Sequence, residues 1–381
     1  MKIIGLIAEY NPLHLGHIYQ IKKIKELYPN SIIIVITNTC FTQRGDISIL
    51  NKWNKTKLCL ENQIDLIIEL PFAYATQSAD IFAKGALTIL NHLKIDTLVF
   101  GSESNDIDLL KKIATTQTNN KEYDKKVKEY LDSGLNYPTA MSKALETILE
   151  KTITEPNDLL GISYIKEIIS NNYKINPITI KRIGSYHETE VKNQIISASL
   201  IRTLHLKETD ITPHIPTNTQ KYLYNNLSKE NYFKYLKYKI ISTKDLSVYQ
   251  TVEEGIENRL KKEIHNSNTW EELIQKIKTK RYTYNKISRM LTHILTDFKK
   301  EEAKELKIDY IRLLGFSEQG QKYLNKIKKQ ITLPIITTYK KNFSSLLDLE
   351  LKALSIYYLP IDETLIEKEF KQKPIKKNQN N

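Results

Sequence analysis

The sequence has 381 residues, of which 40% are hydrophobic, and this is enough to bury the cores of two domains. No apolar run approaches the ~20 residues needed to cross a bilayer, so the sequence predicts no membrane span and no membrane partner. The first apolar run ends at Glu9 and Asn11, which is too early for a signal peptide. We therefore expect a cytoplasmic protein. We expect its two cysteines, Cys40 and Cys59, to be reduced, because their spacing matches no metal site.

The net charge of +13 favours a polyanionic partner. The 23 tyrosines add flat faces on which unstacked bases can lie, so RNA is the partner that the composition favours. The alternative is that lysine, asparagine and isoleucine are abundant only because the genome is rich in A and T.

The first twenty residues predict a strand, a turn and a helix. Residues 2–8 are an apolar, β-branched run typical of a buried strand. Pro12 follows in a turn, and Gly16 opens an amphipathic helix. His14 and His17 are three residues apart and therefore lie on one face at the helix N-terminus, where the backbone favours an anion. Imidazole donors there suit a polyphosphate; the alternative is two solvated histidines.

Further strands are predicted at residues 31–37, 66–69 and 97–100, and helices lie between them. This alternation predicts an α/β fold with a Rossmann-like, doubly wound parallel sheet, whose ligands bind beyond the carboxyl ends of the strands. Gly101 lies at that edge, where the missing Cβ lets a base or ribose approach, unless it only ends a strand. Arg44, in a loop at the same edge, either clamps a phosphate or carboxylate or is solvated.

Two later stretches offer further nucleotide contacts. Asn157 either caps a helix or reads an adenine edge, and Arg182 ends a fifth strand at residues 178–183. Ser197 and Ser199 lie at a helix start with Arg202 one turn further on, and together they form a second candidate anion site. The alternative for the serines is an ordinary helix cap.

From residue 206 helical patterns dominate, so we predict an α/β domain over 1–205, which carries the candidate nucleotide contacts, and a mostly α-helical domain over 206–370. Residues 276–289 interleave lysines and arginines with Tyr282 and Tyr284, which is what single-stranded RNA loops require. The alternative is a solvated helix end. Residues 371–381 lack apolar periodicity and are predicted to be disordered.

Several short motifs carry a resemblance to known enzymes. His14-x-Gly16-His17 after Asn11-Pro12 resembles the motif of the HIGH-type nucleotidyltransferase superfamily, and Ser197-x-Ser199-x-Ile201-Arg202 resembles its second phosphate-binding motif. The narrower signature comprises Ala8 to Pro12, Gln43-Arg44-Gly45, Asn51-Lys52-Trp53, Glu69-Leu70-Pro71, Phe100 to Glu103, Pro156-Asn157 with Gly161 to Tyr164, Lys181-Arg182, Glu254 to Leu260 and Lys278 to Tyr284. In this order they resemble the tRNA(Met) cytidine acetate ligase family. One loop departs from the family's usual Ser-Gly-Asn-Phe, because Asn38, Thr39, Cys40 and Phe41 stand there.

The resemblance implies an ATP-dependent ligase that activates acetate as acetyl-adenylate and transfers the acetyl group to N4 of the wobble cytidine of elongator tRNA(Met). Mg²⁺ is expected to accompany ATP, no dedicated metal site is expected, and no oligomeric state is predicted. The resemblance also implies which residues bind ATP, and these are Ile7, Ala8, Glu9, Tyr10, Asn11, Pro12, Leu13, His14, Leu15, Gly16, His17, Ile18, Tyr19, Gln20, Gly101, Asn157 and Arg182. We expect His14 and His17 to be catalytic at the phosphates, with Ser197, Ser199 and Arg202 on the pyrophosphate side.

We expect the tRNA to be bound by Lys278, Lys280, Arg281 and Tyr282. Two other functions remain open. A cofactor adenylyltransferase would use the same motifs on a small phosphorylated substrate, but it leaves the basic helical half without a role. A non-catalytic RNA-binding protein with a vestigial nucleotide pocket would fit only the altered loop at Asn38 to Cys40.

Overall fold

The computed structural model describes residues 1–135, 137–183, 191, 194–279, 282–340 and 342–377. The strands are β1 (Ile3–Ile7), β2 (Ile32–Thr37), β3 (Leu66–Glu69), β4 (Thr97–Ser102), β5 (Asn176–Lys181), β6 (Ile311–Phe316), β7 (Ile335–Ile336) and β8 (Ile375–Lys376). The helices of the first half are α1 (Leu15–Leu27), α2 (Lys52–Glu61), α3 (Phe72–Ala75), α4 (Ala79–His92), α5 (Ile107–Asn119), α6 (Lys121–Asp132), α7 (Tyr137–Leu149), α8 (Pro156–Ser170) and α9 (Ala198–Leu206). Those of the second half are α10 (Phe233–Ser242), α11 (Ile256–Glu263), α12 (Trp270–Ile277), α13 (Tyr284–Leu295), α14 (Lys300–Glu305), α15 (Glu318–Ile327), α16 (Ser345–Tyr358) and α17 (Leu365–Lys371). Short 3-10 helices cover Thr212–His214, Gln220–Tyr222, Lys229–Tyr232, Leu246–Val248 and Ile264–Asn266.

The first five strands form the predicted parallel sheet. Their spatial order is β3-β2-β1-β4-β5, and every pair along this path is parallel. The chain therefore winds outward from β1 in one direction and returns to β4 on its other side. Ligands of such sheets bind in the crevice at this reversal, beyond the carboxyl ends of the strands.

The composition of β2 explains why the sheet is covered on both faces. Its six residues, Ile32–Thr37, are all β-branched and all buried. Ile34 and Ile36 belong to the core on one face of the sheet, whereas Ile33 and Val35 belong to the core on the other. Successive side chains of a strand point to opposite faces, so one unbroken apolar run supplies both cores.

The second half of the chain extends the same sheet. β6 pairs antiparallel with β3, with Leu66 opposite Phe316, and the larger core includes residues from Ile3 to Tyr358. The boundary predicted at residue 206 therefore does not coincide with a gap between two cores. The second half is otherwise mostly helical, and no helix of the described chain is both long enough and apolar enough to cross a membrane.

The prediction of a disordered tail from residue 371 is wrong for the part that the structure describes. Lys371 ends α17, and β8 pairs with β6 so that Gly315 lies opposite Ile375. The physical reason is the free edge of β6, whose backbone groups need partners, together with the contact of Ile375 with the smaller core. Residues 378–381 lie outside the described residues.

Candidate active site

A cavity of about 1060 Å³ lies at the reversal point of the sheet. The end of β1, the start of α1 and the ends of β4 and β5 line it. The loop at 42–49, the starts of α8 and α9, residues 227–229 and the first turns of α13 also line it. Residues from both halves of the chain therefore line one chamber.

The two predicted histidines lie together at the mouth of α1. His14 is the N-cap residue, and its Nδ1 accepts a hydrogen bond of 3.0 Å from the backbone N–H of Gly16. The Nδ1 of His17 accepts a hydrogen bond of 3.2 Å from the backbone N–H of His14, and the two ring centroids are 3.8 Å apart. Gly16 is required here, because a Cβ would lie 2.7 Å from Cε1 of His14. The glycine lets the imidazole fold back over the helix terminus.

These contacts fix the protonation of both rings. Burial lowers the pKa of His14 to about 3, and Arg182 and Arg202 add to the shift. Burial, then His14 and Arg182, lower the pKa of His17 well below its usual value. A neutral imidazole has one donor and one acceptor nitrogen, and Nδ1 is the acceptor in each ring. Each therefore carries its hydrogen on Nε2, which has no hydrogen-bond partner among the described residues.

Arg202 connects α9 to this turn. Its Nη1 donates to the carbonyl oxygen of Asn11 at 2.8 Å, and its Nη2 lies 3.4 Å from Oδ2 of Asp46. Asp46 also accepts from Nζ of Lys229 at 2.6 Å. Burial alone would raise the pKa of Asp46, but Lys229 and Arg202 outweigh it and lower that pKa. Asp46 therefore remains a carboxylate that orients two cations at the cavity.

The two predicted serines have different positions on α9. Ser197 is a buried N-cap whose Oγ accepts from the backbone N–H of Leu200 at 3.2 Å. Ser199 is exposed, and both serines line the cavity with Arg202. The helix N-terminus, a hydroxyl and a guanidinium thus converge, as the predicted second anion site requires.

The predicted adenosine side is a polar network at the ends of β4 and β5. Nδ2 of Asn157 donates to Oε1 of Glu103, and Nη1 of Arg182 lies 3.5 Å from Oδ1 of Asn157. Nε of Arg182 lies 3.7 Å from Glu103. Burial lowers the pKa of Arg182, and Glu103 opposes that shift. Gly101 provides room, since a Cβ there would be 3.2 Å from Cγ of Arg182. Gly101, Asn157 and Arg182 all line the cavity, as a nucleotide site requires.

The segment at 7–20 divides into lining and core residues. The residues that line the cavity are Ile7, Ala8, Glu9, Tyr10, Asn11, His14, Gly16, His17, Tyr19 and Gln20. Leu13 belongs to the smaller core instead, and Ile18 packs against that core. Asn11 anchors the segment, because its side chain donates to Ile47 and accepts from Ile49 on the neighbouring loop.

The unusual loop at Asn38 to Cys40 lies behind the cavity rather than on its surface. All three residues are buried and none lines the cavity. Asn38 accepts from Nζ of Lys55 at 2.8 Å and donates to the carbonyl of Phe41 at 2.7 Å. Burial lowers the pKa of Lys55 to about 8, and Glu9 opposes that shift. The loop therefore influences the cavity through the buried residues that it contacts, such as Lys55, rather than by touching a ligand.

Of the predicted tRNA residues, the two that the structure describes, Lys278 and Tyr282, do not line the cavity. Lys278 is exposed at the end of α12, while Lys280 and Arg281 lie outside the described residues. Tyr282 is buried, its hydroxyl donates to the carbonyl of Glu253, and Nζ of Lys286 lies 4.3 Å from its ring centroid. A base has no access to this ring, so the structure argues against the predicted stacking on Tyr282.

Sequence reasoning gave no role to Lys229, which comes from the second half and lines the same chamber as the histidines. Tyr284 and Arg289 lie in the stretch predicted to bind RNA, and they too line this chamber. Glu9, in the segment predicted to bind ATP, accepts from the backbone N–H of Gln43 at 2.5 Å, and burial raises its pKa. No local spacing shows that Lys229, Tyr284 and Arg289 share one chamber with the histidines, because distant elements bring them together.

The strand order of the sheet, the turn before α1 and the pair of histidines together define a class of protein that transfers nucleotides. The family model described as HIGH Nucleotidyl Transferase matches residues 1–373.

Comparison with individual proteins narrows the class. The chain is 40% identical to the tRNA(Met) cytidine acetate ligase of Caldicellulosiruptor saccharolyticus, over 98% of each chain. It is 36% identical to that of Bacillus subtilis, over 96% of this chain and 94% of the relative. The crystal structure of apo Thermotoga maritima TmcAL matches with a TM-score of 0.92 and 27% identity over 99% of both chains. The structure of TmcAL bound with alpha-thio ATP matches with a TM-score of 0.87 and 28% identity over the same shares. The chain belongs to the tRNA(Met) cytidine acetate ligase family of HIGH nucleotidyl transferases, which confirms the resemblance in its sequence.

Proposed function

We propose that this protein is an ATP-dependent ligase that joins acetate to N4 of the wobble cytidine of elongator tRNA(Met) in the cytoplasm. The names of its relatives support the ligase activity and the tRNA, and the alpha-thio ATP bound to TmcAL supports ATP as the nucleotide. Acetate, the N4 atom and the wobble position come from the family resemblance.

One observation carries the proposal for this chain. His14 and His17 are both neutral, and the Nε2–H of each, beside the N-terminus of α1, has no partner among the described residues. Arg202 lies close enough to lower the pKa of His14. Two neutral donors and a cation around one helix terminus suit a polyphosphate better than a single charge would.

The first step requires charge stabilisation rather than a covalent enzyme intermediate. A carboxylate oxygen of acetate attacks the α-phosphorus of ATP, the bond to the bridging oxygen of the β-phosphate breaks, and pyrophosphate leaves. Negative charge builds on the phosphate oxygens in the transition state. The Nε2–H groups of His14 and His17 are the donors proposed for it, with Arg202 and Ser199 on the pyrophosphate side.

The second step forms the amide. The cytidine N4 amine attacks the acetyl carbonyl carbon, AMP leaves, and one N4 proton is lost. Catalysis by positioning is sufficient here, because the acetyl-adenylate is already activated. Among the described residues, no group of three or more His, Cys, Asp or Glu side chains could hold a metal ion. Mg²⁺ accompanying ATP would therefore be held mainly by phosphate oxygens.

The experiment is pyrophosphate release from ATP, measured with and without acetate and with and without an elongator tRNA(Met) transcript. We expect release to depend on acetate and the transcript to gain one acetyl group on cytidine. Transfer of AMP to a phosphorylated small molecule, without acetate dependence, would favour the cofactor adenylyltransferase. RNA binding without any pyrophosphate release would favour the non-catalytic protein.

A further inference from the structure

The lining of the cavity includes two arginines that the proposed chemistry does not use. Arg44 lies in the loop at 42–46, and Arg289 lies on α13. Both side chains line the cavity and both are half-buried. Arg289 makes no hydrogen bond or ion pair with any described residue. Its guanidinium therefore lines the chamber with no carboxylate bound to it among the described residues.

Gly45 brings these two arginines together. Its φ is +77°, and a Cβ at this position would lie 2.7 Å from the carbonyl oxygen of Ser288 and 2.8 Å from the backbone nitrogen of Arg289. Thr292 donates to the carbonyl of Gly45 at 3.0 Å. The loop is therefore seated directly on α13, with Arg44 one residue from the contact. Because the loop packs closely on α13, the fold holds the positive charges of Arg44 and Arg289 near each other.

Like charges held together in a half-buried place attract an anion. Burial lowers the pKa of Arg289 to about 10, and Arg44 adds to the shift. Burial lowers the pKa of Arg44, whereas the carboxylates of Glu9 and Asp46 oppose that shift; Asp46 also binds Lys229 and Arg202. Six cationic side chains but three carboxylates line the described cavity, and these are Arg44, Lys181, Arg182, Arg202, Lys229 and Arg289 against Glu9, Asp46 and Glu271.

Arg289 comes from a different part of the chain than the proposed ATP contacts, because it lies on α13, whereas His14, Arg182 and Arg202 belong to the first half. Arg44 lies between the two groups: burial lowers its pKa, and Arg202 adds to that shift. The cavity of about 1060 Å³ lies at the top of the ~300–1,000 Å³ range of small-molecule sites, so it has room for more than one ligand. Tyr284 also lines the cavity and is half-buried, with Nζ of Lys229 5.2 Å from its ring centroid.

We infer that Arg44 and Arg289 form a subsite for a backbone phosphate of the RNA, next to the nucleotide that enters the cavity. The inference rests on the proposed function, because it takes tRNA as the second ligand. A guanidinium donates two parallel hydrogen bonds to a phosphodiester, and two such groups would hold the strand while its base reaches the acetyl group.

The test is titration of an elongator tRNA(Met) transcript at several salt concentrations against the wild type and Arg289→Met, which keeps much of the side-chain volume. We expect tRNA affinity to fall by about 10- to 100-fold, the range for one hydrogen bond to a charged group. The slope of log affinity against log salt should fall by ~0.7–0.9. ATP affinity should change much less. Lys326→Ala is the charge control, since Lys326 is exposed on α15 and does not line the cavity.

Each outcome decides the inference. Unchanged tRNA affinity and salt slope in Arg289→Met would overturn it. An equal loss of ATP affinity would also overturn it, because the pair would then serve the nucleotide phosphates. If Arg289→Met does not fold, Arg44→Met carries the same expectations. Absence of acetate-dependent pyrophosphate release in the wild type would refute the proposed function, whereas the tRNA titration would still decide whether the subsite exists.

Discussion

The two stretches in which the sequence suggested ligand contacts behave differently in the fold. In residues 7–20 the catalytic candidates lie where the sequence predicted them, at the mouth of α1 and on the cavity wall. In residues 276–289 the two predicted contacts that the structure describes do not line the cavity: Tyr282 is buried, and Lys278 is exposed at the end of α12. Tyr284 and Arg289, a few residues further on, line the cavity instead.

The difference follows from how each site is built. The first site depends on a helix terminus and the residues within one turn of it, so sequence spacing determines which groups face the ligand. The second depends on which face of α13 turns toward a loop some 240 positions earlier in the chain, as the contact of Thr292 with Gly45 records. Composition can indicate that such a segment is basic and aromatic, but packing decides which of its side chains are accessible.

The strongest test of the first site is His17→Ala. If its Nε2–H stabilises charge in the transition state, kcat should fall by ~10²–10³-fold, the range for one preorganised donor, while ATP affinity falls much less. Steady-state pyrophosphate release and direct ATP binding are the measurements. His265→Ala is the matched control, because His265 is exposed and outside the cavity lining. A change confined to KM would mean that His17 only binds ATP.

A smaller effect is expected from Gly16→Ala. The added Cβ would lie 2.7 Å from Cε1 of His14, so the ring must move, and misplacing a catalytic group by about 1 Å can cost ~10²-fold in rate. Helix propensity alone would favour alanine over glycine. The measurement is kcat in wild-type and His14→Ala backgrounds. If the cost of Gly16→Ala is the same in both, it does not act through the His14 ring.

The same reasoning explains which parts of the fold were predictable. The four strands of the first hundred residues are short, continuous apolar runs, and β2 needs no tertiary information to be recognised. The strand β6 was not predicted. Its run, Ile311–Phe316, contains Arg312, whose fully buried side chain lies near the rings of Trp53 and Tyr339. A charge in a buried strand conceals the apolar pattern, because only the fold supplies the aromatic surroundings that accommodate it.

The parallel, doubly wound sheet and a site beyond the carboxyl ends of its strands follow from local patterns and the general rules of parallel sheets. The order β3-β2-β1-β4-β5 and the pairing of β6 and β8 with that sheet were not predicted. Both strands depend on edges that are left free by other parts of the chain. Likewise, the neutral state of His14 follows from burial, which the sequence spacing could not predict.

The adenosine side should respond more weakly to substitution. Asn157→Ala removes the amide that links Glu103 and Arg182, and ATP affinity should fall by about 3- to 10-fold, as for one neutral or partly charged hydrogen bond. Affinity for the tRNA transcript should remain at the wild-type level. Asn258→Ala on the exposed face of α11 is the matched control. Equal losses for ATP and tRNA would contradict the assignment of Asn157 to the nucleotide.

The smallest expected effect concerns Lys278, the one predicted tRNA cation that the structure describes. Lys278 is exposed at the end of α12, so a contact with RNA phosphate there would be strongly screened by salt. We expect Lys278→Ala to lower tRNA affinity only a few-fold and to reduce the salt slope by ~0.7–0.9, the change for one lost phosphate contact. The measurement is the same titration as for Arg289→Met, with Lys326→Ala as the control.

The comparison of Lys278 with Arg289 decides where the RNA is held. Both variants remove one charge, so similar changes in salt slope are expected if both side chains contact phosphates. Affinity should distinguish them, because the half-buried Arg289 is shielded from solvent and Lys278 is not. If Lys278→Ala leaves the slope unchanged while Arg289→Met reduces it, the end of α12 is a solvated face. The RNA then enters along α13. If only Lys278→Ala reduces the slope, the strand passes outside the cavity and the two arginines have another role.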